Sequence, residues 1–99
     1  MTFVKVAAVN DVEPGHGKVV YADDMEIALF NIDGKFYAID NACKHRGGPL
    51  GEGDVDGDIV TCPLHGWQYN VTNGTCITMP AHVQSFEVKV EGNDVLVNV

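Results

Sequence analysis

With 99 residues, 45% of them apolar and 20% charged, the chain has material for one domain around one modest hydrophobic core, and no apolar run approaches the ~20 residues that span a bilayer. The net charge of −8 excludes a phosphate-binding surface of clustered cations; it fits a partner with a basic docking face, and equally a surface kept soluble by its own charge. Three cysteines cannot close a disulfide framework, and two of them are spaced with histidines, which points to metal and to a reducing, cytoplasmic setting.

The residues Met1-Thr2-Phe3-Val4-Lys5-Val6 alternate too early for a secretory leader, and Phe3 to Val9 reads as a strand. Asn10 to Gly15 is a polar loop. Lys18 to Tyr21 and Met25 to Ile32 read as strands joined at Asp23-Asp24. Asp33-Gly34 is a two-residue hairpin turn, and Lys35 to Ile39 returns from it with Phe36 and Tyr37 on opposite faces. Phe86 to Glu91 alternates apolar and charged residues, as a strand with one wet face does. Gly92-Asn93 turns it, and Val95, Val97 and Val99 continue the alternation. Nothing sustains a helical period. The expectation is an all-β, antiparallel sandwich or barrel forming a single domain over 1–99, with a loop-rich subdomain over about 42–81 inserted into it. That stretch holds every Cys and three of the four prolines.

Two motifs in the insert carry the chemistry, Cys43-Lys44-His45 and Cys62-Pro63-Leu64-His65, separated by residues 46–61. Each offers one thiolate and one imidazole from a single loop. The intervening stretch is long enough to form a short strand, Asp58 to Thr61, and return beside the first loop. Thiolates favour iron–sulfur clusters or zinc, and imidazole suits either metal. A zinc site usually takes a Cys pair followed by a His pair. One of each per loop fits a two-iron cluster better, and a zinc-stabilised interaction module is the alternative reading.

The pattern Cys-x-His, sixteen residues, Cys-x-x-His, followed by Gly66 and Trp67-Gln68-Tyr69, resembles the Rieske [2Fe–2S] family. So do Gly48-Pro49-Leu50, Cys62-Pro63, the Gly74 turn and Pro80-Ala81. The resemblance covers the whole chain and implies the Rieske fold with one [2Fe–2S] cluster. Cys43 and Cys62 would bind the inner iron, and His45 and His65 the outer one near the surface. Replacing two thiolates by imidazoles raises the potential above that of an all-Cys ferredoxin.

Other residues take their roles from the same resemblance. Gly47, Gly48, Gly51 and Gly66 would let backbone amides approach the cluster, and Pro80 would lie in a loop that shields it, although Met79 stands where many members have Gly. Members in cytochrome complexes carry an extra Cys in each cluster loop; Gly48 and Leu64 stand at those positions here, so that disulfide cannot form. Trp67 replaces a Ser that donates to a sulfide in those members, which implies a potential low in the Rieske range, while Tyr69 keeps the position of a second donor. Trp67 and Tyr69 are expected beneath the cluster loops, Cys76 as a buried thiol on a strand, and His16 and His82 at the surface.

The implied function is that of a ferredoxin carrying single electrons from a flavin-dependent reductase to a terminal oxygenase, typically an aromatic-ring-hydroxylating one. The chain is expected to be monomeric in transient complexes, with no membrane or nucleic-acid partner. It is not expected to be the oxygenase itself, because only His16 and His82 remain for a mononuclear iron site. The alternative is the small Rieske-like subunit of an assimilatory nitrite reductase.

Overall fold

Two successive hairpins, turned by residues that accept a positive φ, build the scaffold. In the computed structural model, which describes residues 2–44, 47–64 and 66–99, β2 (His16–Ala22), β3 (Met25–Ile32) and β4 (Lys35–Asp40) run antiparallel in sequence order. Asp23 sits at φ 55°, Asp33 at 54° and Gly34 at 91° in the two turns. Aspartate is among the few non-glycine residues that visit this region at low cost. Asn31 braces the second turn by accepting from Gly34 N at 2.7 Å through Oδ1. A short strand β8 (Ser85–Phe86) adds to the free edge of β4.

A second sheet ties the chain ends together in the order β1 (Phe3–Ala8), β10 (Asp94–Asn98), β9 (Val88–Glu91). A third comprises three short strands, β5 (Asp54–Asp56), β6 (Ile59–Thr61) and β7 (Gln68–Asn70).

The four-stranded sheet is the middle layer. Ile27 and Leu29 of β3 face a core shared with Val95 and Val97 of the terminal sheet, whereas Ala28 and Phe30 face a core shared with Val60 and Tyr69 of the small sheet. A strand covered on both faces needs an unbroken apolar run, which is why Ile27-Ala28-Leu29-Phe30 does not alternate. Glycine seats the small sheet on this layer. A Cβ on Gly17 of β2 would lie 2.5 Å from the Phe30 ring, and one on Gly51 would lie 2.8 Å from Val19 N. Only bare backbone fits between β2 and the 3-10 turn Leu50–Glu52.

The all-β expectation holds, and several details change. The run from Phe86 to Glu91 is not one strand: β8 belongs to the middle sheet and β9 to the terminal sheet, so the chain crosses between layers at Glu87. Val90, expected to face the core, is 47% exposed, because β9 is an edge strand that reaches the core through Val88. The strand expected at Lys18–Tyr21 begins at His16, and Cys76 lies in an isolated bridge to Tyr69 rather than in a strand. The short strands β5 and β7 were not anticipated, since three residues cannot display a period of two. Among the described residues, no helix is long and apolar enough to cross a membrane.

Candidate metal centre

β4 leads into the first motif loop, and the hairpin of β6 and β7 carries the second. Each loop opens on its cysteine with the same backbone bonds. Gly47 N donates to Cys43 O at 2.7 Å and Cys43 N to Gly48 O at 3.0 Å; Gly66 N donates to Cys62 O at 3.1 Å and Cys62 N to Trp67 O at 2.7 Å. One turn has been built twice, with glycine four residues after each cysteine, at φ 68° in Gly47 and 78° in Gly66. A side chain at either position would strain the turn.

The two thiols come together in one apolar core. Cys43 and Cys62 are each 3% exposed and share that core with Leu50, Val60 and Tyr69. A Cβ on Gly48 would lie 2.7 Å from Cys62 Sγ and 3.0 Å from Leu64 Cγ, so the backbone of the first loop lies against the thiol of the second. Gly48 and Leu64, where cytochrome-complex members place their extra cysteines, therefore face each other without sulfur. The expected ligands His45 and His65 lie outside the described residues.

Tyr69 rises from β7 beneath the first loop and is fully buried. Its hydroxyl accepts from Lys44 N at 3.0 Å and lies 3.5 Å from Cys43 Sγ. Toward a Cys43 thiolate, which carries no hydrogen, the hydroxyl can only donate. Burial first, and then the bond to Cys43, hold the phenol above its ordinary pKa near 10, so it remains a donor. The residue is thus a hydrogen-bonding group as well as a packing one.

The loop necks are closed differently. Asn41, 4% exposed, accepts from Gly51 N at 2.8 Å through Oδ1 and donates from Nδ2 to Glu26 Oε1 at 3.3 Å. Its own carbonyl accepts from Leu50 N at 2.8 Å. One buried amide thereby fastens the entry of the first loop to its exit and both to β3. In the second loop β pairing opposes Thr61 to Gln68, with Gln68 Nε2 donating to Thr61 Oγ1 at 3.2 Å. Asn41 was missed in the sequence; its one signal is a polar residue between an apolar strand and a cysteine loop.

The amides of Gly47, Gly51 and Gly66 are taken up by oxygen acceptors of the first and second loops. They bond within the chain, to Cys43 O, Asn41 Oδ1 and Cys62 O, so these glycines serve turn geometry and close packing. Around residues 77–80, Ile77 N donates to Gln68 O at 2.8 Å and Cys76 N to Ala81 O at 3.0 Å, which lays this loop beside the base of the second motif. Cys76 is 5% exposed, its Sγ 3.4 Å from Thr78 Oγ1. Trp67 is half-buried against the core, and His16 and His82 are exposed, as expected.

Two buried thiols in duplicate turns, one backed by a hydroxyl donor, suit a sulfur-rich iron centre shielded from water. Fold and site together define a small all-β iron–sulfur protein. The chain belongs to the Rieske [2Fe–2S] domain family, whose model matches residues 2–97. It is 38% identical to the ferredoxin subunit of a biphenyl dioxygenase from Pseudomonas sp. (strain KKS102), over 99% of this chain and 93% of that one. It is also similar to the ferredoxin in a complex of reduced oxygenase and oxidised ferredoxin of carbazole 1,9a-dioxygenase, with 34% identity and a TM-score of 0.87 over 96% of this chain and 91% of that one. A structure assigned as a nitrite reductase NADPH small subunit aligns over 100% of both chains at 26% identity and a TM-score of 0.84. The chain is therefore an electron-carrying [2Fe–2S] ferredoxin and not a catalytic subunit.

Proposed function

We propose that Cys43, His45, Cys62 and His65 hold the cluster, with the thiolates on the buried iron and the imidazoles on the outer one. In this reading the chain passes single electrons in the cytoplasm from a flavin-dependent reductase to the terminal oxygenase of an aromatic-ring-hydroxylating system. Residues 1–99 act as one domain, with the cluster carried by 42–81. The observation that carries the reading is the duplicated turn at Cys43 and Cys62, each with a histidine two or three residues on. The cluster supplies a reversible one-electron couple. The chain's own residues keep water from the inner thiolates, fix their direction through the two turns, and donate to Cys43 Sγ from Tyr69. The nitrite reductase alternative is the weaker one, because the oxygenase ferredoxins compared above are 38% and 34% identical and the nitrite reductase subunit 26%.

Iron and acid-labile sulfide at about two each per chain support the cluster, and zinc at about one without sulfide would overturn it. His45→Cys and His65→Cys are expected to lower the potential or lose the cluster. An unchanged potential and spectrum in both variants rules out the ligand assignment.

A further inference from the structure

The charges of this chain are segregated in a way its net charge conceals. All 14 carboxylates lie outside segments 41–51 and 59–86, the two that build the metal centre and the loops around it. Those segments contain Lys44 and Arg46 as their only formal charges, while the rest of the chain sets every carboxylate against Lys5, Lys18, Lys35 and Lys89. Asp40 and Glu52 flank the first segment at the neck of its loop, where Asp40 accepts from Ala42 N at 3.1 Å and Glu52 ends the 3-10 turn, and Asp58 and Glu87 flank the second.

The two carboxylate-free segments also carry three exposed large apolar side chains, while Tyr21, Met25 and Val90 are exposed on the scaffold strands. Leu64 and Ile77 are each 54% exposed and Met79 45%. Leu64 leans on Gly48 of the first loop, and Ile77 N bonds Gln68 O at the base of the second. Lys44 is exposed on the first loop and enters no ion pair among the described residues.

We propose that the metal-centre end of the molecule docks on a protein surface that is apolar at its centre and presents a carboxylate to Lys44, and that the acidic scaffold stays out of the contact. The proposal rests on the cluster reading above and names the chemistry of the partner surface. The Debye length is about 8 Å at physiological salt, against a longest dimension of 36 Å, so charge on the far sheets is screened from a partner at this end. At contact the partner meets apolar side chains and a cation, not the −8 of the whole chain.

Ferricyanide, an anionic acceptor that takes one electron from the reduced protein to become ferrocyanide, stands in for the carboxylate-bearing surface. Its oxidation rate with the wild-type holoprotein is expected to fall as salt rises. Lys44→Glu should slow it roughly fivefold at low salt and reverse the salt slope. Lys35→Glu makes the same change in net charge at the opposite end of β4 and should alter the rate less than twofold. A second reading needs no cluster: quenching of Trp67, the only tryptophan, should be stronger with iodide than with caesium, and Lys44→Glu should reverse that order. A wild-type rate that rises with salt, or equal responses to the two variants, overturns the proposal and returns the contact to the acidic scaffold. Iron and sulfide measured on each variant separate this result from a failure of the cluster reading.

Discussion

Tyr69→Phe isolates one hydrogen bond in the centre. The substitution deletes the hydroxyl 3.5 Å from Cys43 Sγ and keeps the buried ring that packs with Val60 and Val71. With Cys43 as a ligand, an added electron raises the negative charge on sulfur and strengthens the bond. A hydrogen bond to a charged group contributes about 1.5–3 kcal/mol and a neutral one about 0.5–1.5, so the differential between redox states is about 1 kcal/mol. For one electron a tenfold change in equilibrium, 1.4 kcal/mol, corresponds to about 59 mV, so the potential should fall by about 40 mV. The amide of Lys44, which donates to the same oxygen at 3.0 Å, loses its acceptor. That bond is part-buried, so leaving the amide without its acceptor should cost about 1–3 kcal/mol of stability. Dye-mediated titration or protein-film voltammetry reads the first effect, and thermal unfolding of the holoprotein reads the second. A potential within about 10 mV of wild type, with iron and sulfide intact, refutes the assignment of Tyr69 as a donor to the centre.

Gly48→Ala should cost about 1–3 kcal/mol and loosen iron, since its Cβ would meet Cys62 Sγ at 2.7 Å; melting temperature and iron per chain check it. Gly74→Ala should be more damaging to unfolding stability, because φ there is 80° and the new Cβ would collide with Val83 O. Asn41→Ala removes the clamp on the first loop and should speed iron loss to a chelator, with stability falling by about 2 kcal/mol. Asn41→Asp should restore only part of this, since it can accept from Gly51 N but repels Glu26. Cys76→Ser should leave iron and sulfide at wild-type levels; loss of either would make the third thiol part of the centre.

Local chemistry is legible in this sequence wherever it is written in adjacent residues. Asp33-Gly34 and Gly92-Asn93 turn their hairpins because few other pairs accept positive φ, and Gly92 does so at 61°. The Cys-x-His and Cys-x-x-His motifs state their donor types, and the alternation of Val95 and Val97 states which face is buried. What depends on contacts between distant residues had to come from the fold. The split of Phe86 to Glu91 between two sheets turns on which edge each half meets, and alternation reads the same in either sheet. The clamp at Asn41 depends on Glu26 fifteen residues before it and Gly51 ten after it, and the aim of Tyr69 at Cys43 spans 26 residues. The charge segregation lies open in the residue order, yet its meaning required the fold to bring the two carboxylate-free stretches together. A sequence specifies φ preferences and side-chain chemistry position by position. Which groups meet across the chain is decided by burial of the whole, and the tuning of this centre resides in those meetings.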